Sequence, residues 1–180
     1  MHITVTRARA AHLEACAAVF DNSPLHKRYF TEPGRLERML TSAIGRGELW
    51  MAACASGEVV GVMWMDLDGF FGGFPYLALL GVKKRYRGNG VGHTMLRVYE
   101  GVAKALGHRK VSLMVSHFNP RAKSLYQSLG YRKGGYIPDA FAPGIDETIM
   151  VKSICACLHS RRNLLLRMFH TLRARCQAPW

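Results

Sequence analysis

The segment Arg87-Gly88-Asn89-Gly90-Val91-Gly92 places three glycines in six residues, next to a run of cations at Lys83, Lys84, Arg85 and Arg87. Such a segment suits phosphate binding. Glycine lets an anion approach the backbone with no side chain in the way. A helix starting at the turn offers amides that lack intrahelical acceptors, and its dipole adds partial positive charge. Other phosphate loops fit worse. There is no Gly-Lys-Ser/Thr, and the glycines alternate five residues beyond Val82 instead of forming G-x-G-x-x-G directly after a strand. A glycine turn alone is also an ordinary strand-to-helix connection.

The elements around this segment give it a context. Tyr76–Val82 is a short, almost wholly apolar run, which predicts a central strand covered on both faces. Residues 91–106 read as a helix with Met95, Leu96, Tyr99, Val102 and Ala103 inward, and Lys110–Ser116 as another apolar strand. Asn119–Leu129 reads as a helix stopped by Gly130. Upstream, residues 2–6 alternate as a first strand. Thr6 is placed to cap a helix whose buried face is Leu13, Cys16, Ala17 and Phe20. Asp21-Asn22-Ser23-Pro24 ends that helix. A second begins near Pro33, with Leu36, Met39, Leu40 and Ala43 inward. Residues 48–54 and 59–67 predict a hairpin around Ser56-Gly57. Residues 68–75 read as a flexible aromatic loop. Residues 131–137 and 147–152 read as two last strands around a loop containing Pro138 and Pro143-Gly144.

The chain of 180 residues suits one domain, and about half of it (49%) is hydrophobic, enough for a sizeable core. Its net charge is +13, of which +5 falls in residues 153–180, a stretch with five Arg and no acid. That excess fits a polyanionic partner or a basic surface. In the same stretch Leu165, Met168, Phe169 and Leu172 have helical spacing, which predicts a basic amphipathic extension. It is a candidate to dock on the domain, a partner, RNA or a membrane surface. Five cysteines lack the pairing of a disulfide scaffold, and no signal peptide or membrane span is evident, so a cytoplasmic setting with free thiols is expected. Cys155, Cys157, His159 and Cys176 have spacings unlike a zinc site, so no metal is expected.

Residues 80–92, ending Arg87-x-x-Gly90-x-Gly92, resemble the acetyl-CoA motif of the GNAT acetyltransferases, Arg/Gln-x-x-Gly-x-Gly/Ala, five residues after a strand valine. Arg85-x-x-Gly88-x-Gly90 also fits the bare pattern, but the spacing from Val82 favours Arg87. Asn119-Pro120-Arg121-Ala122-Lys123-Ser124-Leu125-Tyr126-Gln127-Ser128-Leu129-Gly130-Tyr131 is similar to the family's N-x-x-A-x-x-x-Y-x-x-x-G-[FY]. The two blocks stand in the right order with a strand between them. The resemblance covers residues 1–152 and leaves 153–180 outside as an extension.

The resemblance implies an α/β (α+β) fold. It would have a mixed, mostly antiparallel central sheet of about six or seven strands, flanking helices, and two splayed parallel strands at the CoA site. It implies an N-acetyltransferase that moves acetyl from acetyl-CoA to a primary amine by direct attack. The acceptor could be a protein N-terminus, a lysine or a small amine. Pyrophosphate would sit on amides from Arg87 through Gly88, Asn89, Gly90, Val91 and Gly92 to His93, with His93 or Thr94 adding a side-chain bond. Pantetheine would pair with Leu80 and Val82, the Leu80 amide polarising the acetyl carbonyl. Asn119 and Ala122 would line the CoA arm, and Tyr126 would be the general acid. The family's usual strand carboxylate has no counterpart in residues 76–82. Asp66, Asp68 and His117 are the replacement bases considered. Phe70, Phe71, Phe74, Phe141, Asp139, Asp146 and Glu147 are acceptor-site candidates by position. A homodimer is a further expectation. The competing reading is a non-catalytic acyl-CoA-binding module whose basic tail contacts RNA or membrane.

Overall fold

The computed structural model describes residues 2–154. The basic extension from Cys155 onward, with the Cys155/Cys157/His159/Cys176 group, lies outside the described residues. Seven strands form one sheet: β1 Ile3–Arg7, β2 Leu49–Cys54, β3 Val59–Phe70, β4 Phe74–Val82, β5 Lys110–Ser116, β6 Arg132–Ala142 and β7 Ile145–Ser153. Their order is β1-β2-β3-β4-β5-β7-β6. Every neighbouring pair is antiparallel except β4 with β5. This is the mixed, mostly antiparallel sheet expected. The helices are α1 Leu13–Ala17, α2 Pro24–Tyr29, α3 Arg35–Gly45, α4 Val91–Ala105 and α5 Pro120–Ser128.

Two cores form, one on each face. Phe20, Leu36, Leu40, Leu49 and Val62 make one, under α1 and α3. Met63, Met95, Leu96, Tyr99, Leu113 and Tyr126 make the other, under α4 and α5. Glycines in β3 and β4 admit both layers. A Cβ on Gly81 would lie 2.3 Å from Phe20, and one on Gly61 would lie 2.7 Å from Met95 Sδ. The two glycines stand one residue out of register across the β3–β4 ladder, so they serve opposite faces.

Several local expectations are corrected. Thr6 does not cap a helix. It stays in β1, and the chain turns at Arg9, whose amide donates to His12 Nδ1 at 3.0 Å. Ser23-Pro24 does more than end a helix. Ser23 Oγ accepts from the His26 amide at 3.0 Å and starts α2, with Pro24 in its first turn. The helix after Pro33 begins at Arg35, behind Gly34 at φ 74°. The aromatic stretch 68–75 is a turn only at Phe71-Gly72-Gly73. β3 runs on to Phe70 and β4 starts at Phe74, and these two rings stack at 4.9 Å, closing a tight hairpin. β6 likewise runs through Pro138. It is an edge strand with a register shift there, so the missing amide costs no ladder bond.

β4 and β5 pair only at Tyr76 with Ser112 and Leu77 with Leu113. Beyond that point β4 follows β3 and β5 follows β7, whose register with β5 is unbroken from Lys110 to Ser116. A register shift in the β3–β4 ladder leaves Ala78 without a partner. Such a bulge bends its strand. Ser112 clamps the closed end, donating through Oγ to Pro75 O at 2.9 Å while its carbonyl accepts from Tyr99 OH at 3.0 Å.

Gly81→Ala forces Phe20 out of its seat. We expect a loss of about 1–3 kcal/mol, as for other overpacked sites. A lower urea midpoint at unchanged slope would register it.

Candidate active site

Where β4 and β5 part, the molecule opens a cleft of about 480 Å³. Leu80 and Val82 line one wall and Met114 to Ser116 the other. Gly88, Gly90, Gly92 and His93 stand at one end, and Asn119, Ala122 and Tyr126 of the α5 segment at the side. Arg87 and Val91 also line it. Of the residues singled out in the sequence, Asn89 and Thr94 are not among the lining set: Asn89 is exposed and Thr94 sits in the first turn of α4.

Strand geometry gives the cleft its chemistry. The Lys83 amide donates to Val60 O at 2.9 Å, so Lys83 and, by alternation, Gly81 turn their backbone toward β3. Leu80 and Val82 therefore turn theirs toward the gap. The Val82 carbonyl accepts from Arg87 Nε at 2.9 Å, which fastens the loop to the strand end. Gly88 and Gly90 take φ of 86° and 79°, values costly for any other residue. The first bond of α4 runs from the Thr94 amide to Gly90 O at 2.9 Å. The amides of Val91, Gly92 and His93 precede it and have no intrahelical acceptor, which makes an anion-binding helix start.

A second brace lies behind the loop. Glu58 accepts from Lys83 Nζ at 2.9 Å, from Tyr86 OH at 2.7 Å and from Arg85 Nη2. One carboxylate thus ties down two of the cations expected to draw phosphate, Lys83 and Arg85, and the group keeps a net positive charge. The cation missed in the sequence is Arg121, which lines the cleft and whose Nη2 would lie 3.5 Å from a Cβ on Gly88. Its place inside the Asn119–Ala122 block, on the first turn of α5, was the available signal. Asn119 itself caps that helix, its Oδ1 accepting from the Ala122 amide at 3.2 Å.

Tyr126 is buried, and its hydroxyl makes no hydrogen bond with the described residues. Burial, then the neighbouring Tyr76 and Glu147, pushes its pKa well above the ordinary phenol value. The candidate bases fall elsewhere. Asp68 is exposed, and Asp66 Oδ1 accepts from its amide at 3.2 Å. His117 is exposed, with Nδ1 accepting from the Asp146 amide at 3.2 Å. Asp146 and Asp139 brace the β6–β7 hairpin, Asp146 accepting from Tyr136 OH and the Asp139 amide. Phe70, Phe71 and Phe74 cluster at the β3–β4 tip and are not in the cleft lining. Glu147 alone of the acidic candidates is buried, at 3% exposure.

The architecture is shared with solved acetyltransferases. Ard1 from Thermoplasma volcanium superposes with a TM-score of 0.73 at 16% identity, over 86% of this chain and 99% of that one. The ribosomal-protein-S18-alanine N-acetyltransferase from Escherichia coli does so with a TM-score of 0.67 at 19% identity, over 91% and 99%. At such identities the likeness is one of fold. The acetyltransferase (GNAT) family model matches residues 14–131, from α1 to the end of the α5 block, and the chain belongs to that family. An acetyltransferase of Sodalis glossinidius (strain morsitans) is 36% identical over 84 residues, 47% of this chain. The chain spans 57% of the length of that curated relative. Among the described residues no helix is long and apolar enough to cross a membrane.

Glu58 gives a testable signature. Its three donors, Tyr86 foremost, hold its carboxyl at about 2 against an ordinary 4.5. The folded value is the lower one, so the contribution to stability is present above the ordinary value and is lost as pH falls from 4.5 toward 2. The gap in melting temperature between wild type and Glu58→Gln is expected to close across that window. A gap that stays constant would mean that the brace carries no charge-dependent stability.

Proposed function

We propose that the chain transfers the acetyl group of acetyl-CoA to a primary amine by direct attack of the amine on the thioester. The observation that carries this reading is the coincidence, in one cleft, of three elements. These are the amides without intrahelical acceptors at the start of α4, the β4 backbone turned to the gap at Leu80 and Val82, and the phenol of Tyr126.

Each element has one task. Amides from Gly88 to His93, helped by Arg121, receive the pyrophosphate. The thiol arm lies between β4 and β5 as a surrogate strand, pairing with Leu80 and Val82. The Leu80 amide then points at the thioester carbonyl and stabilises the oxyanion that forms there. As the C–S bond breaks, Tyr126 gives its proton to the leaving thiolate. A phenol is protonated at neutral pH even at its ordinary pKa, and burial disfavours the phenolate further. Asn119 and Ala122 hold the arm's outer wall.

The family membership supports acetyl transfer in general, and one fold neighbour is a ribosomal-protein-S18-alanine N-acetyltransferase. The acceptor proposed here is the broad class of primary amines, on a protein or a small molecule.

Calorimetric titration with acetyl-CoA should show one site per chain. Tyr126→Phe should lower turnover by roughly 100-fold and leave the acetyl-CoA Kd within about twofold, since the phenol acts on the leaving group and not on the bound arm. Turnover equal to wild type in a CoA-release assay would remove Tyr126 from the chemistry. A folded chain that fails to bind acetyl-CoA would remove the whole reading.

A further inference from the structure

An amine that attacks a thioester must first lose a proton, and β4 offers no carboxylate to take it. The structure assigns that task to Glu147 of β7; this rests on the acetyl-transfer reading above. We propose that Glu147 is the general base and that its partner is the ammonium of a primary aliphatic amine.

The case begins with an unbalanced charge. Glu147 is 3% exposed, and among the described residues no Lys or Arg pairs with it. Its two hydrogen bonds come from neutral donors and converge on one oxygen. Ser116 Oγ donates to Oε1 at 2.6 Å, and Tyr29 OH donates to the same atom. Oε2 accepts nothing from the described residues. That oxygen is not fully enclosed, and a carboxylate so nearly withdrawn from water favours a cation beside it. An incoming ammonium would be that cation.

Position adds the second observation. Glu147 stands opposite Ser116 in the β5–β7 ladder, at the end where β5 has left β4. Ser116 lines the cleft beside Tyr126. The groups facing the carboxylate are the phenols of Tyr29 from α2, Tyr76 from β4 and Tyr126 from α5, all held neutral by burial first. His117 and Asp146, next along the two strands, alternate to the other face. Tyr29 also meets the rings of Phe118 at 5.9 Å and Phe141 at 6.3 Å. The approach to Glu147 is therefore aromatic, with one cation at its edge, Arg28, whose guanidinium lies 4.4 Å over the Phe118 ring; aromatic faces beside a carboxylate suit an alkylammonium as well.

The proton balance closes. Glu147 takes one proton from the ammonium, leaving a neutral amine. Its nitrogen bonds to the thioester carbon, and the C–S bond breaks. Tyr126 protonates the thiolate and regains a proton from the new amide nitrogen. Glu147 returns its own proton to solvent, so amide, thiol and one proton are the products.

The test uses the full chain, acetyl-CoA, and three probes: spermidine, a peptide with a free N-terminal alanine, and a peptide with an internal lysine. CoA-thiol release is followed from pH 6 to 10 for the probe turned over fastest. Glu147→Gln preserves an oxygen for Ser116 and Tyr29. We expect kcat/KM to fall on the order of 100-fold at pH 7, with the deficit narrowing as the amine deprotonates in solution. Acetyl-CoA binding should be unchanged. Glu147→Asp, which keeps the acid, should retain the wild-type profile shape at a lower rate, and it serves as the readout if the Gln variant does not fold. A deficit that is the same at every pH, or no deficit, overturns the base while leaving acetyl transfer standing. Wild type that binds acetyl-CoA but releases no thiol with any probe overturns the transfer reading as well.

Discussion

β4 and β5 are joined as a parallel pair by two residue pairs, Tyr76 with Ser112 and Leu77 with Leu113, and then part. Each strand is committed elsewhere: β4 to β3 with its bulge at Ala78, β5 to β7 along its whole length. The gap is therefore imposed by two antiparallel ladders that diverge, with Ser112 and Tyr99 fastening the end that stays shut. Buried backbone that is left unpaired must be satisfied by something. In this molecule the β4 backbone at Leu80 and Val82 turns to the gap, where only the Val82 carbonyl is met, by Arg87 Nε, a few residues before a helix start whose amides lack intrahelical acceptors. The cleft exists because the sheet is left incomplete there.

Charge is distributed around the gap with separate duties. Glu58 gathers Lys83, Arg85 and Tyr86 behind the loop and holds the joint between strand and turn, while Arg87 ties the turn to Val82. Glu147, on the far side of Ser116, has only hydroxyl partners. A carboxylate that is paired three times is a brace. One that is buried with neutral donors is still able to take a cation. The same residue type thus does opposite work according to what the fold brings beside it.

Much of the loop end of the cleft was legible because it is local. Gly88, Gly90 and the α4 residues lie within one stretch of chain, and helix periodicity, glycine at positive φ and the Asn119 cap act over a few residues. The losses were also local in cause. Ser23-Pro24 reads equally as a stop and as a start, and it started α2. The aromatic stretch near Phe71 looked like loop because glycine and proline punctuate it, yet Phe70 on Phe74 makes a strand pair of its ends. Lys83 and Arg85 looked free until Glu58, more than twenty residues away, was folded against them.

The sequence by itself determined the order of the seven strands, the glycine turn into α4 and the family to which the chain belongs, since each rests on spacing along a continuous segment. Only the tertiary structure decided which acid stands beside Ser116 at the cleft wall. Tyr29, Ser116 and Glu147 come from three distant segments, and nothing in the spacing of any one of them encodes their meeting. It follows from α2 packing over the end of β5 and from the β5–β7 register, which sets Glu147 beside Ser116 and turns Asp146, one residue away, to the other face.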